Sequence, residues 1–175
     1  MMTLAETILM TQIGYENLLA RITEKEKEYD QVRDHRQVAF ELSGDGWHDN
    51  PEFNRMQQLE ANLNHTLKTL NDRLDVMKFI DIHDGMRNVQ QVEIGSIVKL
   101  RRYDLADDSE IEEIWEIRGF DETNIKLKHL AYNAPLAEKI MHLHVADIAE
   151  EVQIGSRHFD IEVVALFKTR LLAGI

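Results

Sequence analysis

A chain of 175 residues, 43% of them hydrophobic, carries enough apolar material for one compact domain or two small ones, which excludes wholesale disorder. Its formal net charge of −12 argues against a free-standing DNA binder, which needs a dominant basic face, and fits a basic protein partner or simple solubility. There is no cysteine, so disulfides, thiolate zinc sites and cysteine nucleophiles are excluded.

The N-terminus has no charged start, sustained apolar run or small-residue cleavage site, and no stretch approaches the roughly 18 apolar residues of a membrane span. The expectation is a soluble, cytoplasmic protein with no membrane partner. Residues 1–11 carry apolar positions at Leu4, Ile8 and Leu9 and are expected either to continue the first helix or to cover its base.

From there the first half has helical period. Tyr15, Leu18, Ile22, Tyr29, Val32 and Ala39 fall on a three-four spacing, interrupted by Lys25 and Arg36. A second arm repeats the pattern with Phe53, Met56, Leu63, Leu67, Leu70, Leu74 and Met77, interrupted at Glu60. So narrow an apolar stripe buries against one partner helix, and the short link makes that partner the other arm, packed antiparallel. The link, Gly44-Asp45-Gly46-Trp47-His48-Asp49-Asn50-Pro51-Glu52-Phe53, is turn chemistry with two glycines and a proline. It sets acidic residues at the tip of a hairpin, far from any core.

The period changes after residue 80. Asp81 to Gln91 reads as a linker, followed by alternating runs at Val98–Tyr103, Ile111–Ile117, Ile125–Leu127 and Phe159–Val163. One short helix is expected at Pro135, Leu136, Ala137 and Ile140, with proline in the first turn where its missing N–H costs nothing. The predicted class is α+β: a coiled-coil hairpin over residues 1–84, with its tip at 44–53, then a small antiparallel β domain with one short helix over residues 91–175.

Candidate chemistry concentrates at the tip. Asp45 and Asp49, flanked by Glu41 and Glu52, are oxygen ligands of the kind that suits magnesium, but two carboxylates hold that ion only when another macromolecule completes the shell. The competing reading is capping: Asp49 or Asn50 before Pro51 is good N-cap grammar, with Glu52 facing the positive end of the helix dipole. Trp47 at a loop apex either packs over the hairpin end or meets a partner or a base. Arg33, His35, Arg36 and Arg55 read either as a basic strip for phosphate contact or as a solvated coiled-coil face. His142 and His144 sit at strand spacing, but no third zinc ligand is recognisable near them.

The tip and two later stretches together resemble the GreA/GreB transcript cleavage factors of bacterial RNA polymerase. The tip of that family usually reads glycine, aspartate, an apolar residue, a variable residue, glutamate, asparagine, a small residue, glutamate and an aromatic. Here Gly44-Asp45 opens the motif and Asp49-Asn50-Pro51-Glu52-Phe53 closes it. Gly95-Ser96, Asn133-Ala134-Pro135-Leu136-Ala137 and Phe159–Val164 match the start, the short helix and the last strand of the family's C-terminal domain. The resemblance runs from about residue 12 to 167.

It implies an FKBP-like β domain that docks at the mouth of the polymerase secondary channel through exposed residues of its sheet. The coiled coil then enters the channel and meets the nascent RNA. The chain would be an accessory factor, not itself an enzyme. Asp45 and Asp49 would be the residues of catalytic consequence, lending ligands to a magnesium ion shared with the polymerase. Trp47, His48, Asn50 and Glu52 would make tip contacts, and Arg33, Arg36 and Arg55 would contact RNA. Three departures stand out: the tip has one extra residue in Gly46-Trp47-His48, Asp49 stands where the family has glutamate, and Glu41 stands where many members have a basic residue. The leading expectation is a factor that stimulates cleavage of backtracked RNA; the departures motivate the alternative of a non-cleaving relative that occupies the channel and inhibits or modulates the polymerase, with Trp47 and His48 as a wedge.

Overall fold

The computed structural model describes residues 7–175. The chain runs β1 (Ile8–Met10), α1 (Gln12–Ser43), a 3-10 helix (Gly44–Asp49), α2 (Pro51–Val76), β2 (Met77–Phe79) and a 3-10 turn (Asp84–Met86). It continues through β3 (Ile97–Asp104), β4 (Glu110–Arg118), a 3-10 turn (Ile125–Leu127), β5 (His129–Ala131), α3 (Pro135–Ile140), β6 (Ile148–Ile154), β7 (Arg157–Phe167) and α4 (Arg170–Ala173). Two compact units result. One is a helical unit whose body is Tyr15–Met77; the other is a β unit that combines Leu9–Gly14 with Lys78–Ile175. The α+β class is as the sequence predicts.

In the helical unit the three-four stripe is the seam. Leu18, Ile22 and Ala39 of α1 and Phe53, Met56, Leu63 and Leu70 of α2 are buried. Tyr29, Val32 and Leu67 are half-buried between them. Two of the interruptions answer each other: Arg36 Nε lies 3.0 Å from Glu60 Oε2, and the Tyr29 hydroxyl donates to Glu60 Oε1 at 3.3 Å. A paired polar layer of this kind sets the register of a coiled coil where an unpaired charge would disrupt it. Asn50 at the N-cap and Pro51 in the first turn start α2 as their chemistry dictates.

In the β unit five strands lie in the order β5-β4-β3-β7-β6. The β3–β4, β3–β7 and β6–β7 pairs are antiparallel, and the short β5 is added parallel to β4. Alternation sends Val98 and Leu100 inward with Ile117, Ile161 and Val163, against Ala137 and Ile140 of α3. The residues between them face out, where Arg101 pairs with Glu110, Glu112 and Glu162 at 2.8, 2.9 and 3.2 Å.

The structure departs from the sequence reading in three places. Ile125–Leu127 is a 3-10 turn and not a strand, because the Asn124 side chain accepts from Leu127 N and Lys128 leaves the turn at φ 58°; the strand begins at His129. The strand Ile148–Ile154 escaped the pattern, since its register shifts between Ala149 and Val152 and Glu151 sits there at φ 52°. Residues 8–10 form a strand instead of continuing the helix, and Leu4 lies outside the described residues. The Leu9 carbonyl accepts from Phe120 N, the Met10 carbonyl accepts from Ile80 N, and Thr11 donates through both its N–H and its hydroxyl to the Glu122 carboxylate, all at 2.8 Å.

Among the charged groups buried in this unit, one carboxylate is held by three arginines. Glu116 of β4 is 2% exposed and is clasped by Arg87 at 3.2 Å, by Arg118 at 3.1 Å and by Arg170. The Arg87 guanidinium also reaches Asp84 at 2.9 Å and the Gly95 carbonyl. Loop, strand and C-terminal helix therefore close on one carboxylate.

Candidate functional site

The tip begins where α1 runs out. Gly44 succeeds Ser43 at φ 52°, the left-handed conformation in which helices commonly end and which glycine adopts without a Cβ penalty. The Ser43 hydroxyl turns back to donate to the Ala39 carbonyl at 2.6 Å. The six residues Gly44–Asp49 then make a 3-10 helix that bridges the two arms.

Asn50 joins the end of α1 to the start of α2. Its backbone N–H donates to the Trp47 carbonyl at 3.2 Å. Its Oδ1 accepts from Glu52 N at 2.9 Å and Phe53 N at 3.4 Å, capping α2. Its Nδ2 donates to the Ala39 carbonyl at 3.2 Å and to the Ser43 hydroxyl. One turn into α2, Asn54 Nδ2 donates to the His48 carbonyl at 3.2 Å.

Above this network lies an aromatic group. The Trp47 ring is 5.9 Å from Phe40 of α1 and 5.0 Å, edge-on, from Phe53 of α2, while Phe40 and Phe53 are 6.1 Å apart. Trp47 therefore packs over the hairpin end, half-buried, and the exposed His48 ring lies against it at 3.4 Å. An edge contact such as that of Trp47 with Phe53 is worth roughly 0.5–1.5 kcal/mol beyond the area it buries.

Asp45 and Asp49 lie on the same 3-10 segment as Trp47, and both are exposed. The cap of α2 is Asn50, so the aspartates are not used as caps. The arginines expected in a basic strip each pair with a hairpin carboxylate: Arg33 with Asp30 at 3.3 Å, Arg36 with Glu60 at 3.0 Å and Arg55 with Glu52 at 3.8 Å. Arg36 is committed to the seam, while Arg33 and Arg55 remain well exposed. Glu41 accepts from Gln37 at 2.8 Å.

His144 hydrogen-bonds to Asp147 through its backbone N–H at 2.7 Å, and its Nδ1 lies 3.3 Å from the same oxygen. Its side chain is exposed, and among the described residues no three histidine or carboxylate side chains are arranged to hold a metal. Asp45 and Asp49 are carboxylate donors of the kind that suits magnesium, and two of them supply only a fragment of its shell.

A cleft of about 480 Å³ in the β unit is lined by Thr11, Ile13, Phe79, Ile80, Ile82 and Arg118 among others. Its cation, Arg118, is already engaged with Glu116 and Glu122, and Gln12 and Asp81 join Thr11 as the other polar groups of a mostly apolar lining.

Sequence reasoning placed Asn50 among the contacts and overlooked Phe40 altogether. The signal for Phe40 was its position beside the seam residue Ala39, seven residues before Trp47 and close to the break. For Asn50 it was the coincidence of a cap with a serine one helical turn beyond Ala39.

No protein-family model and no curated protein matches the chain. Among solved structures it is similar to the GreA factor homolog 1 (Gfh1) protein of Thermus thermophilus, at 18% identity over 93% of this chain and 99% of that one, with a TM-score of 0.42. Gfh1 of Thermus aquaticus is similar at 19% identity, with the same coverage and TM-score. The prokaryotic transcription elongation factor GreA/GreB from Nitrosomonas europaea is similar at 16% identity over 91% of this chain and 97% of that one, with a TM-score of 0.36. Among the described residues no helix is long and apolar enough to cross a membrane.

Proposed function

We propose that this chain is a transcription elongation factor that acts on RNA polymerase, carrying Asp45 and Asp49 on its hairpin into the secondary channel to promote cleavage of backtracked nascent RNA. The observation that carries this reading is the freedom of the two carboxylates. They are exposed, outside the capping network, and presented by a braced tip at the end of helices of 32 and 26 residues. At about 1.5 Å per residue these helices extend roughly 40–50 Å, a reach that a folded domain does not need for its own stability. Asp45 and Asp49 would each lend oxygens to a magnesium ion whose other ligands belong to the polymerase; such an ion supplies Lewis acidity and an activated water. The Asn50 bonds and the Trp47 packing brace the segment that carries them, and the β unit supplies the docking face.

The test is stalled, backtracked elongation complexes with end-labelled RNA. The chain is expected to release short 3′ fragments, and Asp45→Ala with Asp49→Ala together to reduce that release by at least a hundredfold while polymerase binding persists. Cleavage that survives the double replacement would remove both residues from the chemistry.

A second reading rests on the longer tip, in which the Trp47 and His48 rings lie against each other where the resembling family usually has one residue fewer. In that reading the tip obstructs the channel. It predicts slower nucleotide addition with RNA of unchanged length, reversed by Trp47→Gly with His48→Gly.

A further inference from the structure

We propose that Asn50 is a positioning residue for the tip carboxylates: its single amide ties the end of α1 to the start of α2 and so sets where Asp45 and Asp49 stand. The functional consequence rests on the function proposed for the tip, while the clasp itself is a property of this chain alone.

The amide uses its two ends on two different helices. Its oxygen accepts from Glu52 N and Phe53 N in the first turn of α2. Its nitrogen donates to the Ala39 carbonyl, 11 residues back, at 3.2 Å and to the Ser43 hydroxyl in the last turn of α1. Ser43 is itself oriented by its bond to Ala39, so the amide nitrogen meets two acceptors already fixed in place. Between the two ends lies the 3-10 segment that carries both aspartates, closed by Asn50 N–H on the Trp47 carbonyl. The segment is surface chain with no buried residue of its own, so this clasp, the Trp47 packing and the Asn54 bond to the His48 carbonyl are what oppose its fraying.

These bonds dictate the residue type. A cap on α2 alone is served equally by aspartate, serine or asparagine. Donation back to a carbonyl while capping requires a side chain with a donor and an acceptor on one planar head, which aspartate lacks when ionised. Asn50→Asp therefore keeps the cap of α2 and removes the tie to α1. That separation makes the claim testable without unfolding the hairpin.

The absence of cysteine allows specific labelling. Spin labels at Asp45→Cys and Asp49→Cys, in the full chain, report the spread of distances between the two positions by continuous-wave electron paramagnetic resonance. The expected result is a narrow distribution with Asn50 that broadens with Asn50→Asp, while the helical circular dichroism and melting of the hairpin stay within a few degrees. In unlabelled protein with both aspartates present, Asn50→Asp is expected to lower tip-dependent action on transcription about tenfold, at unchanged affinity for polymerase, since errors near 1 Å in a catalytic constellation cost one to two orders of magnitude.

An unchanged distance distribution would overturn the clasp, and a broadened one with full transcriptional effect would overturn its positioning role. If Asp45→Ala with Asp49→Ala leaves transcription untouched, the proposed function fails. The resonance measurement still decides whether Asn50 holds the tip.

Discussion

Glu116 stays ionised in surroundings that oppose it. Burial pushes its carboxyl up, but Arg87, Arg118 and Arg170 outweigh burial and hold it below its ordinary value of 4.5. Its neighbour His129 has Nε2 3.3 Å from Arg170 and is pushed below its ordinary 6.5, first by burial and then by Arg118 and Arg170, against the pull of Glu116 and Glu122. Both depressed groups act in the same direction. Each is fully stabilising above its unfolded value, and that stability is lost as pH falls through the folded one. Acidification below about 6.5 should therefore weaken the β unit through His129 first, and below about 4.5 through Glu116 as well. Replacing Glu116 with glutamine leaves three arginines facing a neutral amide, a loss on the order of 3–5 kcal/mol at pH 7 for a broken buried pair. It should also flatten the acid limb below pH 4.5. Thermal melts of both proteins across pH 3–8 check this; an E116Q protein that melts with wild type at pH 7 would mean that the arginines are stabilised by something else.

At the scale of elements, the hairpin seam contains a polar layer where an apolar one would pack. Arg36 is 33% and Glu60 15% exposed, so the pair is partly dehydrated and its Coulomb gain is largely offset. Arg36→Leu alone leaves the less exposed Glu60 carboxylate unpaired beside Tyr29 and should cost roughly 1–3 kcal/mol. Arg36→Leu with Glu60→Leu should recover that loss or exceed wild type, while permitting other registers or partners. Melting by circular dichroism and sizing by light scattering measure the two effects; a double variant less stable than R36L would show that the layer contributes net stability.

The same elements explain what could be read from sequence. Every apolar seam residue named from its spacing between Leu18 and Leu70 is buried or half-buried, because a two-helix interface leaves its period in the chain. The Arg36 and Glu60 interruptions appeared as defects, since pairing between positions so far apart in the chain leaves no local mark. Strand β6 was invisible for a related reason: a bulge at Glu150 and Glu151 breaks the period that betrays a strand. At the tip, Asp45, Asp49 and the cap at Asn50 came from turn grammar, whereas the aromatic group came from the meeting of Phe40 and Phe53, which only the fold brings about.

At the scale of the whole molecule, chain order and structural unit do not coincide. Residues 9–14 precede the hairpin in sequence and belong to the β unit in space. Met10 is 2% exposed there and Thr11 6%, and the pair of carbonyls at Leu9 and Met10 satisfies the N–H groups of Phe120 and Ile80. Gly119 is required by the same closeness: a Cβ on it would stand 3.0 Å from the Leu9 carbonyl oxygen and closer still to the Glu122 carboxylate.

A protein that begins at Tyr15 would keep the whole seam and lose all of these contacts. Removing Met10 forfeits roughly 1.5–3 kcal/mol of burial. The two backbone N–H groups add about 1 kcal/mol or more each, and the Glu122 carboxylate loses both Thr11 donors. The sum is on the order of 5 kcal/mol, comparable to the entire stability of a domain of this size.

The expected outcome is selective. In amide hydrogen exchange the truncated chain should retain protection in α2 and lose it along β4 and near Phe120, and a peptide of residues 7–14 added in excess should restore part of it. Equal protection of β4 in the two proteins would show that the β unit folds without its N-terminal segment. In that case the contacts of Leu9, Met10 and Thr11 would be ornaments on a fold that stands without them. Selective loss would mean that the hairpin is an insertion between two parts of one β unit, so that any partner gripping that unit also holds both ends of the hairpin.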